Sequence, residues 1–152
     1  MALTLYLPRL AELRYRQSLL ADEATMAYNR AWGGTVDFPP EKWETWYARW
    51  TGAEDRFYRY LWAEELSCPV GEIALRREDG RWLCDVIVEA RHRGRGFGTE
   101  GLALLCAEAR RRGIARLYDE IAVDNPSLRL FLRAGFREVG RTKEAVCVVK
   151  DL

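Results

Sequence analysis

Val88-Glu89-Ala90-Arg91-His92-Arg93-Gly94-Arg95-Gly96-Phe97-Gly98-Thr99 carries glycines at 94, 96 and 98, between a run of β-branched residues and a segment of helical periodicity. Glycine lacks a Cβ, so its backbone can approach a ligand closely. A helix beginning near Thr99 would add its unpaired N–H groups and the positive end of its dipole. Arg91, Arg93 and Arg95 supply positive charge in the same loop. Strand, glycine loop and helix in this order make a device for holding phosphate. The plain alternative is an ordinary glycine-rich connection with solvated arginines. His92, between two of those arginines, reads as a solvated neighbour of the phosphate rather than as a base.

Other phosphate-binding motifs fit poorly. The pattern GxxxxGK[ST] of a P-loop is absent, and a dinucleotide fingerprint would want glycine where Thr99 stands. A nucleic-acid patch would need more basic residues and aromatic stacking positions than this short cluster supplies.

On the N-terminal side of the loop three runs read as strands: Phe57 to Trp62, Val70 to Leu75 and Trp82 to Val88. Glu78-Asp79-Gly80 joins the last two as a hairpin, so an antiparallel meander is expected. Before them, Leu3 to Leu7 alternates and stops at Pro8 as a first short strand. Arg9 to Leu20 is charged and Leu-rich, and Asp22 is placed to cap a second helical piece reaching Asn29. From 41 to 50, Trp43, Trp46, Tyr47 and Trp50 fall at i, i+3, i+4 and i+7, which gives a helix one aromatic face. That face can plug into the core, wall a substrate pocket, or do both.

On the C-terminal side, Leu102, Leu105, Cys106 and Ala109 form the stripe of a helix over Thr99 to Arg112, ended by Gly113. Leu117 to Val123 reads as a fifth main strand. Asn125 is a plausible N-cap, followed by Pro126 in the first turn of a short helix that stops at Gly135. Phe136 to Val139 and Ala145 to Val149 read as a closing hairpin. The expected fold class is α/β, a mixed and mostly antiparallel sheet of 6 to 7 strands with about four helices, in one domain over residues 1–152.

With 49% hydrophobic residues the chain can build one sizeable core, and its formal charge of +1 gives no global field toward nucleic acid or an anionic membrane. Cys68, Cys84, Cys106 and Cys147 are far apart and lack a CxxC pattern, so buried free thiols are expected and no metal. Neither a signal peptide nor a membrane span is legible, which points to a soluble protein of the reducing cytoplasm.

Two blocks carry a resemblance to a known family. The stretch from Val88 to Thr99 resembles the acetyl-CoA signature Q/R-x-x-G-x-G/A of the GCN5-related N-acetyltransferases (GNAT), fulfilled by Arg93, Gly96 and Gly98. Arg91, Gly94 and Gly96 fit the same formula two residues earlier, and the spacing from Val88 favours the later register. Asp124-Asn125-Pro126-Ser127-Leu128-Arg129-Leu130-Phe131-Leu132-Arg133-Ala134-Gly135-Phe136 is similar to the family's second signature, N-x-x-(A/S)-x-x-L-Y-x-x-x-G-F. Counting back from Gly135-Phe136 puts Asp124 at the usual asparagine position, with Asn125 one residue later.

The resemblance implies a GNAT fold with coenzyme A in a cleft between splayed fourth and fifth strands. Val86, Ile87 and Val88 would lie beside the pantetheine, and Gly94 to Thr99 (Gly94, Arg95, Gly96, Phe97, Gly98, Thr99), with Arg93, around the pyrophosphate. Asp124 or Asn125, and Phe131, would complete the cofactor site. A backbone N–H near Val88 would face the thioester carbonyl and favour the developing oxyanion. The implied reaction is direct acetyl transfer from acetyl-CoA to an amine in a ternary complex.

Because an amine with a pKa near ~10 is mostly protonated at neutral pH, a base is expected. The register implied by Gly135-Phe136 places Asp119 at the position of an acidic base. Asp85, inside an apolar run where burial would raise its pKa, is the second candidate, ahead of Glu120 and Glu72. Phe131 stands where the family's tyrosine commonly protonates the departing thiolate. A thiol pKa of about 8.5 makes that thiolate a tolerable leaving group without it. The alternative function is a catalytically weak acyl-CoA-binding module of the same fold. The acceptor is open among a small molecule, a peptide and a protein amine, and the protein is a monomer or homodimer with no nucleic-acid partner. Trp32, Trp43, Trp46 and Trp50, with Asp37, Glu41 and Glu44, would suit a cationic amine.

Overall fold

The computed structural model describes residues 2–152, and Met1 lies outside the described residues. Its strands are β1 (Leu3–Tyr6), β2 (Arg56–Ala63), β3 (Cys68–Glu78), β4 (Arg81–Val88), β5 (Arg116–Ala122), β6 (Arg137–Arg141) and β7 (Ala145–Asp151). They form one 7-stranded sheet in the order β1-β2-β3-β4-β5-β7-β6. β1 to β4 run antiparallel to one another in turn. Asp79 and Gly80, at φ 52° and 76°, make the left-handed turn of the β3–β4 hairpin, as a two-residue loop requires. β5 joins β4 in parallel, while β7 enters between β5 and β6 and is antiparallel to both. The mixed, mostly antiparallel sheet agrees with the expected class.

Five α-helices cover it: α1 (Arg14–Ala21), α2 (Glu23–Met26), α3 (Trp43–Gly52), α4 (Phe97–Arg111) and α5 (Ser127–Arg133). Their bounds differ locally from expectation. The segment from Arg9 to Leu20 divides into a 3-10 turn over Leu10–Leu13 and then α1. Asp22 is at the N-cap of α2, yet its carboxylate accepts from the Thr25 hydroxyl rather than from a backbone N–H. Asn125 Oδ1 accepts from the Ser127 N–H at 2.9 Å, so the expected cap forms two residues ahead of the helix start at Ser127, with Pro126 between.

The sheet has a core on each face. Ile73, Leu75, Cys84, Leu117, Ile121, Val146 and Val148 pack with Phe97, Leu102, Leu105, Cys106 and Ala109 of α4. α4 comes close because Gly101 faces Leu61, whose Cδ1 lies 2.8 Å from where a Cβ would stand. On the opposite face Trp46 and Trp50 of α3 pack on Tyr58, Tyr60 and Ala74. Trp43, Trp46 and Tyr47 also pack with Leu13, Leu20, Met26 and Phe38. The aromatic stripe of α3 is therefore first a packing device.

β4 and β5 pair only at Trp82–Leu117 and Leu83–Tyr118, and beyond these two pairs the strands diverge. Cys84 to Val88 have no strand partner on that side. Glu89 N–H donates to the Val70 carbonyl at 2.8 Å. Antiparallel pairing alternates along a strand, so the N–H and C=O groups of Val86 and Val88 turn away from β3, toward the gap. Gly71 lets this end of β4 sit tightly on β3: a Cβ there would stand 2.1 Å from the Ile87 carbonyl oxygen. Among the described residues no helix is long and apolar enough to cross a membrane.

Candidate active site

The gap between β4 and β5 opens into a cavity of about 620 Å³. Val86, Ile87 and Val88 line one wall, and Asp119, Glu120, Ile121 and Ala122 the other. Its floor is the turn into α4. Gly94 and Gly96 there have φ of 79° and 84°, the left-handed region in which a side chain is strained. Gly96 is the N-cap of α4, and the first N–H to find a helical partner is that of Glu100, bonded to the Gly96 carbonyl at 3.1 Å. The N–H groups of Phe97, Gly98 and Thr99 are thus left without helical acceptors, beside the positive end of the helix dipole. Gly98 faces Leu130 of α5, whose Cδ1 lies 2.8 Å from the position of a Cβ, so a side chain there would crowd the two helices.

Most of the residues singled out from sequence meet in this cavity. Asp85, Val86, Ile87, Val88, Arg93, Gly94, Gly96, Phe97, Gly98, Thr99, Asp119, Asn125 and Phe131 all line it. Arg95 is exposed and does not, and Asp124 lies in a shallower recess with Lys143 and Glu144. The Arg93 guanidinium holds main chain: Nε donates to the Val88 carbonyl at 3.1 Å and Nη2 to that of Thr25 at 2.8 Å. It ties α2 to the open end of β4. Phe131 is buried, edge-on to Phe136 with ring centroids 5.0 Å apart.

His92 differs from expectation. It is buried, not solvated, lies edge-on to Phe97, and neither ring nitrogen has a partner among the described residues. Burial pushes its pKa down and keeps the ring neutral. The 3-10 turn Ala90–His92, which folds the ring beneath Phe97, carries no sequence signal of its own.

The carboxylates in the gap perturb one another. Asp119 is half-buried, and its Oδ1 accepts from the Glu120 N–H at 2.8 Å. Burial raises its pKa well above the ordinary carboxylate range, and the charge of Asp85 adds to the rise, while the Glu120 N–H and Arg76 oppose it. Asp85 is ion-paired with Arg76, which also reaches Glu78 at 3.2 Å. Tyr118 is not part of the cavity wall; Arg81 stacks on its ring at 4.7 Å.

The cavity continues under α1 and α3, past Arg16, Tyr58, Glu72, Trp46, Trp50 and Trp32. Glu72, buried on β3, accepts from Arg16 Nη1 at 2.8 and 3.0 Å and from the Tyr58 hydroxyl. The sequence puts Glu72, with Glu120, behind Asp119 and Asp85 and does not single out Arg16, whose place depends on α1 packing across the sheet. Asp37, Glu41 and Glu44 lie outside this wall.

The fold recurs in solved structures. A phosphinothricin acetyltransferase from Sinorhizobium meliloti, in complex with AcCoA, is 17% identical with a TM-score of 0.81, over 100% of this chain and 89% of that one. A spermidine N-acetyltransferase from Vibrio cholerae, in complex with CoA and spermine, is 18% identical with a TM-score of 0.81, covering 98% and 95%. A ribosomal-protein-alanine N-acetyltransferase from Brucella melitensis is 23% identical with a TM-score of 0.77, covering 100% of both chains. A search of the curated proteins finds no match. The acetyltransferase (GNAT) family model matches residues 19–136, from within α1 through the Gly135-Phe136 end of the second block, and the chain belongs to that family.

Proposed function

We propose that this protein transfers an acetyl group from acetyl-CoA to a primary amine by direct attack, with both substrates bound in the cavity at once. The observation that carries the reading is the unpaired edge of β4 running directly into the exposed N-terminus of α4. A flexible chain with amide groups can pair with Val86 and Val88, and a diphosphate can sit on the N–H groups of Phe97, Gly98 and Thr99. The complexes of the Sinorhizobium and Vibrio proteins, with AcCoA and with CoA, support the same occupant.

Acetyl-CoA, when bound, supplies an acyl group activated as a thioester. The protein's own part is placement and proton handling. Gly94 and Gly96 let the main chain approach the diphosphate, and Arg95 adds charge from outside. Arg93 acts indirectly by fixing the Val88 carbonyl, which leaves the Val88 N–H to point at the acyl oxygen. Asn125 and Phe131 flank the site from α5 and the turn before it. Asp119 takes the proton from the incoming ammonium group, because its raised pKa brings a carboxylate nearer the proton affinity the task needs. The free thiols Cys68, Cys84, Cys106 and Cys147 support a reducing, cytoplasmic setting.

Titration calorimetry with CoA tests this reading. Heat of association is expected, and Gly96→Val, which forces a β-branched residue to positive φ, should weaken binding at least about tenfold. No heat with the wild-type protein, or an unaffected Gly96→Val variant, would overturn it. Phe131 at the usual proton-donor position favours a second reading, a CoA-binding module that does not turn over. Tight CoA binding without thiol release from acetyl-CoA across a panel of amines would select that reading.

A further inference from the structure

The far wall of the cavity bears on which amine it takes. Tryptophans and acids there would suit a polycation, but the chain itself occupies most of them, Trp32 and Glu120 excepted. Arg16 lies over Trp46 at 4.3 Å and Arg56 over Trp50 at 5.1 Å, so each of these two indoles already holds a guanidinium. Glu72 is held by Arg16 and Tyr58, and Asp85 by Arg76. Among the acids lining the cavity, Glu120 alone has no side-chain hydrogen bond or ion pair among the described residues. Of these acids and tryptophans, Glu120 and Trp32 are what remains for a second ammonium group of an acceptor.

Arg16 presents the opposite chemistry. Its side chain is 15% exposed, and its guanidinium sits at 4.3 to 5.6 Å from the ring centroids of Trp46, Phe38 and Tyr58, so its direction is fixed. Nη1 is committed to Glu72, and Nε is enclosed without a partner. Nη2, which makes no hydrogen bond among the described residues, is the nitrogen left for the cavity that Arg16 lines. Tyr58 shares in holding Glu72, so the guanidinium keeps donors for a second anion.

We propose that Arg16 receives an oxyanion of the acceptor, so that the substrate is an amine that also carries a carboxylate, or an oxyanion of similar size, and not a polyamine or neutral amine. This rests on the reading of the cavity as an acetyltransferase site. The amine end meets Asp119 in the gap, and the anionic end lies under α1 and α3.

The test compares free L-amino acids, their methyl esters and simple diamines as acceptors of the intact protein, read by thiol release from acetyl-CoA. An ester has a less basic amine, so chemistry alone favours it; the proposal expects kcat/KM higher by about tenfold or more for at least one free acid over its own ester. Arg16→Lys keeps a cation beside Glu72 but loses the planar fork. It should raise KM for that acid about tenfold, leaving KM for the ester and the calorimetric affinity for CoA unchanged. The double variant R16M/E72Q leaves no lone buried charge and should do the same, which separates recognition from misfolding. Esters or diamines preferred over acids, no acid turned over, or equal rises of KM for acid and ester would overturn the proposal while CoA binding stands. Failure of the wild-type protein to bind CoA would remove the enzyme reading itself, and this inference with it.

Discussion

Asp119 joins catalysis and stability with opposite signs. In the unfolded chain an aspartate titrates near 3.9, whereas in the fold burial and the Asp85 charge raise it well above its usual range. The folded state therefore holds this proton more tightly. The stability it contributes is fully present below the unfolded pKa and is lost as pH rises through the folded one. Asp119→Asn keeps the Oδ1 acceptor for the Glu120 N–H and never ionises. At neutral pH it should melt at or above the wild-type temperature while kcat/KM falls about a hundredfold, the deficit shrinking as alkaline pH deprotonates the amine itself. Differential scanning calorimetry and a pH–rate profile check both halves. Asp85→Asn removes a charge that raises Asp119 and frees Arg76 to lower it, so the acid limb of that profile should move to lower pH. Phe131→Tyr should change kcat by no more than roughly tenfold, since a thiol pKa near 8.5 already makes the thiolate a competent leaving group. An increase near a hundredfold in steady-state rate would show that proton donation limits the enzyme.

Gly71 and Gly96 were of unequal legibility. Gly96 announces itself by its place in a glycine-rich, arginine-rich turn before a helical stripe. Gly71 looks like an ordinary interruption of a strand, because the Ile87 carbonyl that makes it obligatory arrives from β4 and is visible only once the strands are paired. Gly71→Ala should destabilise the fold by about 3 kcal/mol, with the backbone at Ile87 and Val88 forced toward the gap and affinity for CoA reduced in parallel. Urea unfolding and calorimetry read the two effects, and a loss of stability without loss of CoA affinity would dissociate the close β3–β4 approach from the site. The periodic elements, α3, α4 and the β3–β4 hairpin, were readable because propensity and burial agree there. The segment from Arg9 to Asn29, expected to hold two helical pieces, runs instead as a 3-10 turn, two α-helices and a second 3-10 turn that reaches Trp32. Its course is set by contacts distant in sequence, such as Arg16 with Glu72 and Arg93 with the Thr25 carbonyl.

Family membership and fold class were legible from two short blocks, since backbone geometry confines glycine and arginine to few positions there. The far wall of the cavity was not, because it gathers α1, α3 and β3 from regions of the chain that carry no shared motif. The same sheet that makes the gap also sets how the molecule bears load. β1 stands at one edge and β7 beyond β5, so the hydrogen-bonded path from one to the other crosses every strand between them and is narrowest at the two pairs joining Trp82 and Leu83 to Leu117 and Tyr118. Stretched between its termini in an optical trap, the protein should part there first, into a four-stranded and a three-stranded piece. A ligand spanning both lips of the opening would then act as a rivet and raise the rupture force.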